Sequence, residues 1–322
     1  MADSIIVSVI CNAYNHAPYI RACLESLVTQ RTRFPFEILA HDDASSDGTA
    51  DIIREYAERY PGLVLPVCET QNQYSLGNLE RIQYARIRGK YIACCEGDDY
   101  WTDPLKLQKQ VDALEARPEI DICAHAADRI DGVTGKTISV IAPSRVDTVF
   151  SPEAVISGGG MFVATSSLMV RAALNEDIPE FRRRRRTDYT LQIHGALRGG
   201  MLYLADDMSV YRYRSPGSWS GRMNGDPARK RGFTRRVTDM LEQLDADTQR
   251  RYHDAIARRI RLYEFQQRVH ERDFKSLLGG EYADCLSRLP LYKRCGIRLC
   301  AAMPVAFDLW EKVRATRVGR RG

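Results

Sequence analysis

No stretch of this 322-residue sequence reaches the roughly 18 consecutive apolar residues that a membrane-spanning helix needs. The first residues, Met1-Ala2-Asp3-Ser4, carry no basic cluster, and the apolar run behind them is short, so no secretory signal is expected. None of the nine cysteines falls into a C-x-x-C pair, which argues against a thiolate zinc site. They are scattered, with Cys94 and Cys95 adjacent in one apolar run, and read as reduced core thiols of a cytoplasmic protein. Internal repeats and long low-complexity tracts are absent. Nor are aromatics interleaved with basic residues as on a platform for single-stranded nucleic acid, so nucleic acid is set aside as a partner.

What is present is an unusual acidic segment, Glu96-Gly97-Asp98-Asp99-Tyr100-Trp101-Thr102-Asp103-Pro104. It follows an apolar run, Tyr91 to Cys95, that reads as a buried strand. Three acids within four residues repel one another unless positive charge sits among them. A hard divalent cation is the usual solution, and Mg²⁺ commonly takes one or two carboxylates together with phosphate oxygens. The competing reading is a solvated acidic turn.

The residues before it alternate strand and helix patterns. Ile5 to Ile10 is a short apolar run that ends at Cys11-Asn12-Ala13-Tyr14-Asn15. Ala17 to Gln30 carries Ile20, Cys23, Leu24 and Leu27 at helical spacing, with Pro18 in the first turn. Phe36 to His41 reads as a strand with Asp42 to Thr49 as its exit loop, Thr49 to Tyr60 as a helix, and Leu63 to Cys68 as a strand. Asn78 to Arg88 reads as a third helix before the strand at Tyr91 to Cys95. Such alternation predicts a parallel sheet covered on both faces, with ligands beyond the carboxyl ends of the strands. Asn15, Asp43 and Asp98 all fall at those ends.

Three blocks now carry a resemblance. V-S-V-I-C-N-A-Y-N (Val7 to Asn15), E-I-L-A-H-D-D-A-S-S-D-G-T (Glu37 to Thr49) and G-K-Y-I-A-C-C-E-G-D-D-Y-W (Gly89 to Trp101) resemble the signature blocks of family 2 glycosyltransferases. The resemblance spans roughly Ser4 to Ser220. It implies an α/β fold of the GT-A type and an inverting transfer from a nucleotide-diphosphate sugar, of the kind used in bacterial polysaccharide biosynthesis. By the resemblance, Ala13, Tyr14 and Asn15 face the nucleotide base, and Asp43 accepts a hydrogen bond from it, which favours a UDP-sugar. Glu96-Gly97-Asp98 occupies the D-x-D position. Asp98 would hold Mn²⁺ or Mg²⁺, with Asp99 placing metal or donor sugar. Glu96 departs from the usual aspartate and, reaching further, suits ribose or a water.

Further along, Thr187-Asp188-Tyr189 opens a helical pattern in which Thr187 is a plausible cap, and a carboxylate in the first turn is stabilised by the helix dipole. By the resemblance, Asp188 is the general base that deprotonates the acceptor hydroxyl. The region from Gly158-Gly159-Gly160 to Thr165-Ser166-Ser167 corresponds to an acceptor-side strand. The segment Tyr211 to Ser220 resembles a Y-R-x-H-x-x-G-x-W-S block. Arg214 stands where relatives carry histidine and suits a diphosphate. Trp219 reads as a lid or sugar-stacking residue. No covalent intermediate is required, and no nucleophile–base pair is recognisable.

The net charge of +5 is unevenly distributed. From Gly221 to Gly322 there are 23 Lys/Arg against 13 Asp/Glu, an excess of ten, so the preceding part carries −5. Two parts are therefore expected: a catalytic domain over 1–220 and a basic helical extension over 221–322. Val237, Met240, Leu241 and Leu244 share a helical face. Leu299, Met303, Phe307 and Trp310 lie among arginines, a pattern of a membrane-surface helix or a partner helix. This suggests peripheral attachment to the inner face of an anionic membrane, with a saccharide or lipid-linked saccharide acceptor, or homo-oligomerisation through these helices. A solvated extension is the plainer reading. The run Arg182 to Arg186 could grip an acidic or phosphate-bearing acceptor, with a solvated loop as the competing reading. Two other classes remain open: a catalytically silent nucleotide-sugar-binding module, and a metal-dependent phosphohydrolase. For the latter, Ser46-Asp47-Gly48-Thr49 matches part of a D-x-D-G-T motif, but Ser45 stands where its first acid belongs.

Overall fold

The computed structural model describes residues 4–215 and 227–303 and Phe307. The chain divides into two compact units, residues 1–224 and 225–322. The first contains β1 (Val7–Ala13), α1 (Ala17–Val28), β2 (Phe36–Asp42), α2 (Thr49–Arg59), β3 (Val64–Cys68), α3 (Leu79–Tyr84), β4 (Tyr91–Cys94), β5 (Tyr100–Trp101) and α4 (Lys106–Glu115). These are followed by β6 (Ile122–Asp131), β7 (Thr137–Ile141), β8 (Thr148–Phe150), α5 (Pro152–Gly158), β9 (Met169–Arg171), α6 (Glu180–Arg184), α7 (Asp188–Ala196) and β10 (Met201–Tyr213).

One sheet runs in the order β3-β2-β1-β4-β9-β6-β10-β5, with β7 against β6 and β8 against β10. Its first four strands are parallel, and Val7 lies opposite both Phe36 and Tyr91. That register brings the carboxyl ends of β1, β2 and β4 level, as the ligand-binding edge of a parallel sheet requires. The remainder is mixed. β9 runs antiparallel to both β4 and β6, and β10 returns parallel to β6. The parallel sheet expected from the N-terminal alternation is therefore found in that half, and the mixed pairing lies beyond it. The sequence places short β9 between two longer strands, where three residues are too few to show a period. Two further boundaries differ. The helix expected to Arg88 stops at Tyr84. The expected strand around 158–167 is the end of α5 and a 3-10 turn at Thr165–Ser167, the strand itself being β9.

Apolar residues bring the layers together. Val7, Val9, Cys11 and Ala13 of β1 pack with Ile20, Cys23, Leu24 and Leu27 of α1 and with Ile38, Ala40, Ile53 and Tyr56. All nine cysteines are free thiols, and only Cys295 is exposed. The buried carboxylate of Glu37 accepts from Ser8 Oγ at 2.7 Å and from Arg88 Nε at 2.7 Å, so its charge is paired where the chain enters β4.

Lys106 is the exception to that pairing. It is fully buried, its Nζ has no hydrogen-bond partner, and it sits 3.8 Å from the centre of the Trp101 ring among Cys94, Cys95 and Cys123. Burial pushes its pKa down from 10.5 to about 7.

The second unit is helical: α8 (Pro227–Asp247), α9 (His253–His270), α10 (Phe274–Leu277), α11 (Ala283–Ser287) and α12 (Leu291–Ala302). Val237, Met240, Leu241 and Leu244 are buried along α8, the face their spacing indicated. A separate core gathers Phe265, Phe274, Leu277, Tyr282, Ile297, Cys300 and Phe307. Phe307, grouped from sequence with outward-facing residues, is instead inside, its ring 5.2 Å from that of Phe274. Trp310 lies outside the described residues. Among the described residues no helix is long and apolar enough to cross a membrane.

A fold that depresses the Lys106 pKa loses stability as pH falls from the unfolded value of 10.5 towards about 7. Lys106→Met removes that loss. It should raise Tm at pH 7 by about 4 °C or more, equivalent to about 1–2 kcal/mol, and the gain should shrink as pH approaches 10. Melting curves of both proteins across this range check it. A wild type that melts higher at pH 7 would mean the ammonium is favourably solvated by Trp101.

Candidate active site

The acidic loop is held by backbone contacts before any side chain acts. Beyond β4, Cys95 N–H donates to Ile10 O at 3.0 Å and Gly97 N–H to Asn12 O at 2.8 Å, tying the loop to the end of β1. Gly97 sits so close to β1 and α1 that an added Cβ would lie 2.9 Å from Ala13 Cβ and 3.0 Å from both His16 Nδ1 and Ile20 Cδ1. The loop then turns, with Asp99 N–H donating to Glu96 O at 2.9 Å.

Its three carboxyls have different surroundings. Asp98 is 7% exposed, with His16 Nε2 4.0 Å from its Oδ2. Asp99 is 2% exposed, and its Oδ1 accepts the Arg212 backbone N–H at 2.9 Å. Burial and the charge of Asp98 push its carboxyl well above the usual range, against that hydrogen bond. Glu96 is exposed to solvent. Loss of solvation, then Asp98 and Asp188, push its pKa up to about 8. Asp188, distant in sequence, is thus near enough to the acidic loop for its charge to act on Glu96, and the 165–167 turn that holds Asp188 through Thr165 also accepts from Trp101 Nε1 at Ser166 O, at 2.9 Å.

Asp188 opens α7. Thr187 caps the helix, its side chain accepting from Thr190 N while the Thr190 hydroxyl accepts from Thr187 N–H at 3.0 Å. The Asp188 carboxylate accepts from Thr165 Oγ1 at 3.0 Å through one oxygen and from Tyr189 N–H at 2.7 Å through the other. Burial raises its pKa, partly offset by these bonds and by the charge of Arg185. Such a carboxyl is oriented, holds a proton more readily than a free aspartate, and remains open to solvent on one side.

The loops after β1 and β2 are locked together. Asn15, at φ 56°, donates its N–H to Ser45 Oγ at 2.8 Å, and its Oδ1 accepts from Ser46 N–H at 2.9 Å. Ala13 is buried and Tyr14 partly exposed beside it. Asp43 is buried, and its two oxygens accept the N–H groups of Gln73 at 2.6 Å and Tyr74 at 3.1 Å. It thus anchors the 73–74 turn as well as standing at a strand end. Asp47 is a cap: it accepts from Ala17 N–H at 2.9 Å and from Thr49 N–H at 3.1 Å.

Arginine positions depart from the expectation. Arg214, at φ 62°, stacks its guanidinium 4.9 Å over Tyr213, within electrostatic range of Asp131. Arg212, among the described residues, bonds to the acidic loop. Its Nη1 donates to Asp98 O, and its guanidinium lies over Tyr100 at 4.6 Å and Tyr19 at 5.1 Å. Sequence reading passed over Arg212 because it lies in β10, whose pairing with β5 brings it to Asp98 from 114 residues away. The run Arg182 to Arg186 is not one basic patch. Arg182 is buried, donating to Tyr84 Oη, Asn175 Oδ1 and His194 Nδ1 at 3.0 Å each. Arg184 pairs with Glu180 at 2.8 Å and Arg186 with Glu80 at 3.2 Å. Thr165, the orienting partner of Asp188, was likewise indistinct in the sequence. Trp219 lies outside the described residues.

Among the described residues no group of three or more His, Cys, Asp or Glu side chains is arranged to hold a metal ion. The oxygen donors of Asp98 and Asp99 fit a hard cation bound by one or two carboxylates with phosphates completing its shell.

Comparison with known proteins follows the same lines. The family description "Glycosyl transferase family 2" matches residues 8–178. The Mycobacterium tuberculosis protein Rv1520 is 38% identical over 214 residues, 66% of this chain and 60% of that one. A Nostoc protein named as an uncharacterized glycosyltransferase, alr2836, is 30% identical over 175 residues, 53% of this chain and 52% of its own length. The chain thus spans about 60% or less of the length of these relatives. Among solved structures, Staphylococcus aureus TarS 1–349 in complex with UDP-GlcNAc superposes with TM-score 0.61 at 17% identity, covering 88% of this chain and 80% of that one. The mannosyltransferase PcManGT of Pyrobaculum calidifontis, in complex with GDP-Man and Mn²⁺, superposes with TM-score 0.51 at 16% identity, covering 98% and 85%. The fold is of the GT-A type.

Gly97 is where the acidic loop depends most on a missing side chain. Gly97→Ala should destabilise the protein by about 1–3 kcal/mol, the usual range for overpacking. Gly280→Ala, where nothing lies within 4 Å of the added Cβ, should melt like wild type. Equal melting temperatures for the two variants would contradict the tight seating of the loop.

Proposed function

Because this chain belongs to glycosyl transferase family 2, we propose that it moves a sugar from a nucleotide-diphosphate donor, a UDP-sugar by preference, to a hydroxyl of a saccharide or lipid-linked saccharide, with inversion at the transferred carbon. The observation that carries this reading is that Asp188, oriented by Thr165 at the start of α7, lies within electrostatic range of Glu96 in the loop after β4. A transfer by single displacement needs a base and a diphosphate site on opposite sides of one sugar, the places proposed for Asp188 and Asp98.

The roles follow from the side chains. Asp188 takes the proton of the attacking hydroxyl. Thr165 and the Tyr189 N–H hold its oxygens in place, and its raised pKa brings it nearer the working range of a general base. Asp98, with Asp99 beside it, would hold Mn²⁺ or Mg²⁺, and such a cation supplies positive charge to the leaving diphosphate. Arg212 fixes Asp98 and Asp99 through the backbone contacts described. Glu96, open to solvent, suits the ribose or an ordered water. Asn15, Tyr14 and Ala13 form the wall for the base. Asp43 has lone pairs left after anchoring the 73–74 turn, and an imide N–H of uracil suits them. TarS, bound to UDP-GlcNAc, supports a uridine donor, whereas the GDP-Man of PcManGT keeps guanosine as the competitor. Arg214 could reach the diphosphate only by leaving Tyr213.

The phosphohydrolase reading is disfavoured by Asp47, which would have to be a nucleophile or acid but is engaged with Ala17 and Thr49. A silent binding module would have no use for an oriented Asp188 across from the acidic loop.

Donor binding is expected to require metal. UDP with Mn²⁺ should raise Tm through mass action, UDP in EDTA should not, and Asp98→Asn should lose the metal-dependent part. A full shift in EDTA would argue against a cation at Asp98. Asp188→Asn should keep the UDP–Mn²⁺ shift but lower transfer by about 10²-fold or more, as loss of a general base does. A folded Asp188→Asn protein with near-normal transfer would leave the base elsewhere.

A further inference from the structure

Helix α12 is apolar on two sides. Its inner side, Ile297, Cys300 and Ala301, packs into the core of the second unit with Phe274 and Tyr282. Its outer side carries Leu291 at 71% exposure, Leu299 at 51%, and Cys295 and Ala302, also exposed. At 3.6 residues per turn these four fall within an arc of about 80°. Tyr292 flanks them at 58% exposure, and Met303 extends the stripe at 54%. A solvent-facing helix side ordinarily carries polar residues, so a continuous apolar stripe there marks an interaction surface.

One edge of the stripe is basic. Arg294 and Arg298 lie one turn apart beside it, and both line a shallow groove of about 260 Å³ shared with Leu278, Gly280, Leu286 and Ser287. From Arg288 to Met303 the chain carries Arg288, Lys293, Arg294 and Arg298 and no acid. We propose that the outer face of α12 docks on an anionic phospholipid surface, with Leu291, Leu299 and Met303 entering the headgroup–acyl boundary and Arg294 and Arg298 meeting lipid phosphates. A second copy of this chain is the poorer occupant. A two-fold interface apposes the same patch from both subunits, so this basic edge would face itself. A lipid surface offers the complementary charge together with an apolar layer. The proposal does not depend on the transfer reaction. It keeps Leu299 and Met303 of the surface anticipated from sequence, adds Leu291, and leaves Phe307 inside.

The test is co-sedimentation of the full chain with vesicles, scored without any enzymatic readout. Vesicles of seven parts phosphatidylcholine to three parts phosphatidylglycerol should bind the wild type at low salt at least about tenfold better than pure phosphatidylcholine, since each basic residue at the surface is worth about fivefold. Arg294→Glu/Arg298→Glu should lower binding about tenfold or more and remove most of the salt dependence. Leu291→Glu/Leu299→Glu should lower it comparably while melting like wild type. Wild type left in the supernatant with anionic vesicles would overturn the proposal. So would undiminished binding by both double variants, or light scattering that shows a wild-type dimer lost in Leu299→Glu.

Discussion

Carboxyl groups crowd the end of β4, and the rest of the first unit is arranged around keeping them there. Two carboxylates about 4 Å apart repel by about 4 kcal/mol at an effective dielectric near 20, a large share of the ~5–15 kcal/mol that holds an ordinary domain together. The loop nonetheless stays, because its backbone is tied to β1 at Ile10 and Asn12 and its tight turn needs Gly97. Arg212 then closes over it from β10, donating to Asp98 O with its guanidinium against Tyr19 and Tyr100. Loss of solvation first, and the neighbouring carboxylates second, raise the proton affinity of Glu96 and Asp99. The charge of Asp188 adds to it at Glu96. A site under such tension gains from any ligand that brings a cation.

The legible part of this arrangement was the part written in consecutive residues. The apolar run of β1, the α1 spacing and the acids directly after β4 each sit within one local pattern, and the parallel half of the sheet follows from their alternation. Thr187 and Asp188 were visible for the same reason, since a cap and a first-turn acid are adjacent. What stayed hidden depends on strand pairing across the mixed half. Arg212 reaches Asp98 only because β10 pairs with β5, and Thr165 reaches Asp188 only because a 3-10 turn replaces the strand expected there. Neither pairing leaves a periodic trace in sequence.

Charge was the feature that sequence described least well. Five consecutive arginines suggested a patch, yet Arg182 is a buried fastener joining Tyr84, Asn175 and His194, and its neighbours Arg184 and Arg186 have acidic partners. Counting charges along a chain cannot separate a guanidinium that holds helices together from one that waits for a ligand. The second unit illustrates the same limit for apolar residues. Leu299 and Phe307 belong to one apolar grouping in sequence, but one faces solvent and the other the core.

The central claim is that Asp98 and Asp188 serve opposite sides of one transfer site. The most direct measurement is anomalous diffraction at the manganese edge from crystals of the full chain grown with UDP and Mn²⁺. A peak bonded to the Asp98 carboxylate and to both phosphates of UDP, with the Asp188 carboxylate across the site and free of metal, is the expected result. A peak on Asp188, or UDP bound away from the end of β4, would contradict it.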